Sequence, residues 1–231
     1  MKKIMKAFTL SYDDGIESDL KFIELLNKYN LKCTFNLNSG LLDRESSFEY
    51  KGFKVKRLPS KGIKTIYAGH EIAIHGRTHI DPPEIADEKQ FEEEFLLDKI
   101  CLEDMFEQKI VGAAYAYGRY DDRTIEYLNK IGIKYSRLAS EKSNNFDTQT
   151  DLLRFVPTNH HNDAEVMENI DRFLAMENPE KPQIFYLWGH SYEFDGDKNW
   201  DFIEQVFKKV SNRDDIFYGT NKQVFEYYGL I

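Results

Sequence analysis

Apolar residues along this chain follow two alternating patterns. Short continuous runs such as Ala7–Tyr12 read as buried strands, and the segments that follow repeat apolar residues at helical spacing. Ala7–Tyr12 leads to a helix at about Ser18–Tyr29 and a strand at about Lys32–Leu37. Further strands are predicted at Glu71–Ile74, Ile110–Tyr115, Lys134–Arg137, Leu152–Val156 and Gln183–Leu187, after a short apolar run at Lys64–Ala68. Helices are predicted at Pro83–Glu107, Asp122–Ile131, Ala164–Met176 and Trp200–Val210, and Ile216–Tyr218 and Gln223–Tyr228 close the chain. Strand alternating with helix predicts an α/β fold of β/α units around a largely parallel sheet or barrel. One stretch, at about 38–62, breaks the rhythm. It is long and mixed, and Phe48–Val55 alternates about Lys51-Gly52 as a hairpin does. We read it as an insertion over the sheet of a single domain spanning 1–231.

Composition narrows the function classes. A formal net charge of −9 over 231 residues argues against a nucleic-acid surface, which neutralises phosphates with Lys and Arg. Charge runs such as Glu92-Glu93-Glu94 read as the wet face of a helix. The two cysteines, Cys33 and Cys101, sit in apolar stretches and read as reduced core thiols, not as a disulfide framework. The start, MKKIMKAFTLSYDDG, reaches the first strand before a signal peptide's apolar region can form. No run approaches the roughly 18 apolar residues of a membrane span. These features lead us to expect a cytoplasmic protein without a membrane span.

Candidate chemistry gathers where strands end. Asp13-Asp14-Gly15 closes the first strand, and a parallel α/β fold concentrates its chemistry at the carboxyl ends of its strands. If extended, the two acids face opposite ways, so one can ligate a metal while the other acts as a base. As an isolated string, Asp-Asp-Gly is an ordinary turn. His75 and His79 follow the strand Glu71–Ile74 and lie four apart, so their rings can meet on one ion if the segment turns helically. The competing reading is one surface and one core histidine. His190 ends the run Gln183–Leu187 with Trp188-Gly189 and has the imidazole pKa of a general acid. Tyr12, Tyr117 and Trp188 are candidates to line a sugar-sized pocket, with core caps as the alternative. The turn at Tyr117-Gly118 can present an N–H to an oxyanion. Pro157-Thr158-Asn159-His160-His161 follows a strand and reads as an exposed loop, with a substrate contact or a second metal position for its paired histidines as the alternatives.

Taken in order, these elements resemble the polysaccharide deacetylase family, carbohydrate esterase family four, or NodB-homology domain. Ser11-Tyr12-Asp13-Asp14-Gly15 resembles its first motif and Thr34-Phe35-Asn36-Leu37-Asn38 its second strand. Gly69 through His75, with His79, resembles its metal motif, Tyr117-Gly118 its third and Leu187-Trp188-Gly189-His190 its fifth. The resemblance implies a distorted, incomplete (β/α) barrel holding one divalent metal, most often zinc, on Asp14, His75 and His79. It further implies that Asp13 is the base and His190 the acid. Two departures stand out. The family's third motif carries an arginine that pairs with the base, and Ala114 stands there. Arg137 is our candidate substitute, because it ends a strand and can grip Asp13 in a bidentate contact; Arg119 is its rival. The acid that orients the acid histidine has no clear match, and Asp147, Glu193 and Asp195 compete for it.

The resemblance implies metal-dependent hydrolysis of an N-acetyl or O-acetyl group on an amino sugar or short glycan. Two alternatives remain: hydrolysis of another small or cyclic amide on the same fold, and a glycan-binding protein that has lost turnover.

Overall fold

The computed structural model describes residues 3–45, 47–139, 141–143 and 145–231, with the backbone alone at Ser47. Strand β1 (Lys6–Asp13) is buried along its whole length and forms the axis of the fold. β2 (Thr34–Leu37), β5 (Glu71–Ile74), β6 (Gly112–Ala114) and β7 (Tyr135–Arg137) extend the sheet on one side; β9 (Gln183–Gly189) and β8 (Asn159–His160) extend it on the other. β10 (Ile216–Tyr218) shares an edge of β1 with β2. It pairs with Lys6–Phe8, and β2 takes over at Ser11–Asp13. Every ladder in this sheet is parallel. The sheet curls into an open half-barrel, the expected α/β architecture. Parallel order delivers Asp13, His75, Arg137, His160 and His190 to one end of the barrel.

Helices cover the outside because each has one apolar stripe. α1 (Asp19–Lys28) buries Phe22, Ile23 and Leu26, and α8 (Trp200–Val210) buries Ile203, Val206, Phe207 and Val210. Asp121 caps α5 (Asp122–Lys130) by accepting from Thr124 N–H. Thr220 and Gln223 form a capping box on α9 (Asn221–Tyr228). α6 (Val166–Leu174) completes this layer. Among the described residues, no helix is long and apolar enough to cross a membrane.

The half-barrel interior is polar at its lower end. Glu71 accepts from Thr34 Oγ1 at 2.8 Å, Tyr135 Oη at 2.6 Å and Lys222 N at 2.9 Å. Gly112 is required opposite Tyr135, because a Cβ there would lie 2.1 Å from its hydroxyl oxygen. Burial without a facing cation raises the Glu71 pKa, although these bonds oppose the rise.

Several boundaries differ from the sequence expectation. The helix expected over Pro83–Glu107 begins later, as α3 (Glu88–Phe91), where the Asp87 side chain accepts from Gln90 N–H. It passes through a π-helical turn at Glu92–Leu96 before α4 (Leu97–Phe106). That irregularity serves the site: Glu94 accepts from Thr78 N–H at 2.9 Å, and its carbonyl accepts from Arg77 N–H at 2.8 Å. The strand expected at Leu152–Val156 is a 3₁₀ turn, Leu152–Arg154, with one bridge from Phe155 to Arg137. The Lys64–Ala68 run begins within a short helix, α2 (Ile63–Ile66). β8 and the short helix α7 (Tyr192–Gly196) had no counterpart in the pattern.

The expected hairpin is present as β3 (Ser47–Tyr50) and β4 (Phe53–Lys56), joined by Lys51 and Gly52 with φ of 47° and 82°. It is stitched to the loop after β1 by Glu17 N–H to Lys56 O and Leu58 N–H to Gly15 O, both 2.9 Å. Val55 packs with Ile16 and Tyr192 beneath it.

Candidate active site

Asp13 and Asp14 part company at the end of β1. Asp13 is still in the strand and faces the half-barrel interior with Ser11, since the Asn36 amide donates to Ser11 Oγ at 2.8 Å and Asp13 Oδ1 at 2.7 Å. Arg137, the last residue of β7, donates to Asp13 Oδ2. This pair is almost sealed, with Asp13 2% and Arg137 1% exposed. Trp188 stacks over the guanidinium, 4.1 Å from its ring centre. Burial pushes the Asp13 pKa up, but Arg137, His75 and His190 together outweigh it and hold the carboxyl below its usual range.

Asp14 leaves the strand with φ of 90°, which turns its carboxylate toward the cleft mouth. Arg57, just beyond the hairpin, donates to Asp14 Oδ1 at 3.0 Å, to its carbonyl, and to Asn38 Oδ1 at 3.1 Å. Burial opposes ionisation here too, yet Arg57 and the neighbouring histidines bring the pKa to about 2.

His75 follows β5, and its Nδ1 lies 2.8 Å from Ala114 O, so that nitrogen donates and Nε2 keeps its lone pair. His79 returns to His75 by a bent loop, with φ of 77° at Gly76 and 60° at His79, in place of the expected helical turn. The two rings meet edge to face at 4.8 Å. Ligand atoms of Asp14, His75 and His79 all lie within 4.8 Å of one another. Burial, then the nearby His75, lowers the His79 pKa to about 4, so its ring is neutral near pH 7.

His190 Nε2 lies 3.8 Å from Asp13 Oδ2 and 4.0 Å from Asp14 Oδ2. Behind it stands Glu193 of α7, whose Oε2 is 3.4 Å from His190 Nδ1, 3.0 Å from His160 Nε2 and 3.1 Å from His161 Nε2. All three imidazole contacts with Glu193 are electrostatic holds and not directed hydrogen bonds. Burial works against the charged form of His190, but Glu193, Asp13 and Asp14 prevail and raise its pKa to about 9. Glu193 is itself held ionised far below the usual carboxylate range: burial opposes this, and the three imidazoles overcome it.

The open choices from the sequence resolve in space. Arg137 reaches Asp13, while Arg119 pairs with Asp81 on the surface. Glu193 stands beside His190. Asp147 accepts from the Gln183 amide at 2.8 Å, and Asp195 from the Trp200 indole at 2.8 Å. Tyr12 corrects our expectation of a pocket-lining residue. It is wholly buried against Phe22 and Phe194, because alternation along β1 sends it outward when Asp13 faces inward. Trp188 and Tyr117 do line the cleft, which has a volume of about 720 Å³. Tyr117 is 64% exposed at the rim, its ring 4.6 Å from His79.

Sequence reasoning missed Arg57, whose partner lies 43 residues away across an inserted hairpin. It also placed His160 and His161 in an exposed loop, whereas His161 is fully buried. The paired histidines after a strand were the available signal.

The family profile for polysaccharide deacetylase matches residues 2–136. The chain belongs to the polysaccharide deacetylase family. The match contains Asp13, Asp14, His75 and His79 and stops one residue before Arg137. A search among curated proteins finds no match. Among solved structures, a polysaccharide deacetylase fold is shared with the Xyl-CE4 domain of a multidomain xylanase from the hindgut metagenome of Trinervitermes trinervoides. The two are 16% identical with a TM-score of 0.62, covering 97% of this chain and 91% of that one. The structure titled Puue Allantoinase aligns with a TM-score of 0.71 at 13% identity, over 96% of this chain and 89% of that one. The chain spans 55% of the length of the Streptococcus pyogenes deacetylase PplD, at 25% identity over 57% of this chain and a TM-score of 0.48.

Proposed function

We propose that this family member is a metal-dependent hydrolase that removes an acetyl group, N-linked or O-linked, from an amino sugar or short glycan. The observation that carries this reading is the asymmetry of its two adjacent acids: Asp13 is sealed against Arg137, and Asp14 faces two histidines in the same cleft.

The donor set suits a divalent ion, and zinc best. Two imidazoles and one ionised carboxylate converge, and Ala114 O orients His75 so that Nε2 is the free donor. Held by Asp14, His75 and His79, such an ion would polarise the acyl oxygen and acidify the attacking water. Asp13 is the base. Arg137 and Asn36 keep it ionised and fixed while it receives the water's proton. His190 is the acid. With a pKa of about 9 it is an imidazolium at neutral pH, and Nε2 carries the proton for the departing amine or alcohol. Trp188 and Tyr117 supply aromatic faces for a sugar ring.

The test is acetate release from a panel of N- and O-acetylated sugars by protein stripped of metal and resupplied with zinc, cobalt or nickel. Release that returns with metal and is absent from Asp13→Asn supports the reading. No release from any acetylated sugar, with ring opening of a cyclic amide instead, would replace it.

A further inference from the structure

The end of β8 and the residue after it hang two histidines from β9 beside His190. His160 pairs with Trp188 in the ladder, and His161 N–H donates to Trp188 O at 2.9 Å. Asp163 locks the loop: its Oδ2 accepts from the Asn159 amide and from His160 N–H, both at 3.0 Å. The Asn162 backbone N–H then donates to His160 Nδ1 at 3.1 Å. An N–H is received by a lone pair, so a neutral His160 ring carries its proton on Nε2, which lies 3.0 Å from Glu193 Oε2. The second ring repeats the arrangement. His161 Nδ1 faces the Tyr12 hydroxyl at 3.1 Å, and its Nε2 lies 3.1 Å from the same carboxylate oxygen.

Gly189 makes this possible. A Cβ there would fall 2.0 Å from His161 Nδ1, so β9 admits that ring just beneath His190 by having no side chain. A chain of contacts therefore runs from buried Tyr12 through buried His161 to Glu193, joined there by half-buried His160, and ends at half-buried His190.

We propose that His160 and His161, with Tyr12 behind His161, are positioning residues: they fix the Glu193 carboxylate so that it turns His190 Nε2 toward Asp13 and Asp14. This rests on the hydrolase reading above, in which His190 delivers the proton. The same cluster could be taken for a second metal site, since ligand atoms of His160, His190 and Glu193 lie within 4.8 Å of one another. The Asn162 N–H speaks against that. A neutral ring that accepts at Nδ1 has no lone pair at Nε2 to give a metal.

His160→Phe keeps a ring against Trp188 and removes the donor, whereas His160→Gln keeps an N–H. We expect His160→Phe to lower kcat about 10–100-fold with KM within about twofold, and His160→Gln to recover most of the loss. Independently of substrate, the ¹⁵N resonances of the His190 ring in metal-free protein should move in His160→Phe and in the milder Tyr12→Phe, and return in His160→Gln. Thermal unfolding of each variant confirms that the fold is intact. Unmoved His190 resonances in both variants would overturn the proposal, as would a wild-type kcat in His160→Phe. If no substrate is turned over at all, the hydrolase reading fails while the resonances still decide the positioning role. Binding of two zinc equivalents by wild type, one of them lost in His160→Phe, would also overturn it and make the cluster a metal site.

Discussion

Asp13 and Asp14 are neighbours in the chain, and each has its own arginine, but the two pairs are built differently. Arg137 comes from the sheet itself, and its guanidinium is enclosed by Trp188 on one face and Asp13 on its edge. Arg57 comes from beyond the hairpin and sits at the cleft wall, sharing its one bonded nitrogen among Asp14 Oδ1, the Asp14 carbonyl and Asn38. The first pair is part of the barrel interior, where losing either partner strands a charge. The second is a contact that another cation can contest, because Asp14 Oδ1 is also the oxygen 3.9 Å from His79 Nε2. Identical side chains one residue apart thus sit in one sealed ion pair and one contestable contact, which suits the roles of base and metal ligand proposed for them.

Asp19, a few residues on, completes the contrast. It is wholly buried and hydrogen-bonded by Ser191 Oγ and Tyr67 Oη, both at 2.5 Å, with neutral donors where the other two acids have arginines. Burial therefore dominates, and its pKa rises to about 7.

Each difference can be broken by a single substitution. The largest effect is expected at the base: Asp13→Asn should cost about 10²–10⁴-fold in turnover while binding zinc with undiminished stoichiometry. An Asp13→Asn protein of normal activity would refute the role. By contrast, Asp14→Ala or His75→Ala should abolish tight metal binding, as measured by metal content after gel filtration. Next comes Arg137→Ala, which leaves a buried carboxylate unpaired and should destabilise the fold by about 3–5 kcal/mol in denaturant titrations. Equal loss from Arg119→Ala would refute the assignment of Arg137.

The Asp19 contrast predicts a pH effect of intermediate size. Its folded pKa of about 7 exceeds an unfolded value of about 3.9, so its contribution is intact below pH 4 and is lost as pH rises toward and through 7. Three pK units correspond to at most about 4 kcal/mol. Buried His79 and His161, with folded values of about 4, pull the other way in the same window, so the readout is the difference: the urea midpoint of wild type relative to Asp19→Asn should fall as pH rises from 4 to 7. The smallest effect concerns Arg57. Releasing one charge-assisted contact on Asp14 should tighten zinc binding of Arg57→Gln by about tenfold, near 1.4 kcal/mol, in calorimetric titration. Weaker binding would instead make Arg57 a support that orients the ligand.

The parallel α/β pattern and the convergence of Asp13, Asp14, His75, His79 and His190 were legible because each of these residues ends or closely follows a strand-like run. A parallel sheet carries all such ends to one place, so local periodicity is enough to assemble them. Tyr12 was misplaced in the pocket, although the alternation that turns Asp13 inward must turn Tyr12 outward. The hairpin emerged from its turn chemistry at Lys51-Gly52.

What the sequence could not decide by itself were partners across long chain separations: it named Arg137 only beside its rival Arg119, and it missed Arg57. Arg137 meets Asp13 across 124 residues and Arg57 meets Asp14 across 43. Those meetings depend on which strands neighbour one another and where an insertion folds back. Glu193 prevailed over Asp147 and Asp195 for the same reason: all three acids look alike in the chain, and α7 aims only one of them at His190. Strand identity and strand-end chemistry are local properties, set by periodicity and turn residues. The charge state of each acid is a tertiary property, because it depends on which cation or neutral donor the packed fold brings within a few ångströms.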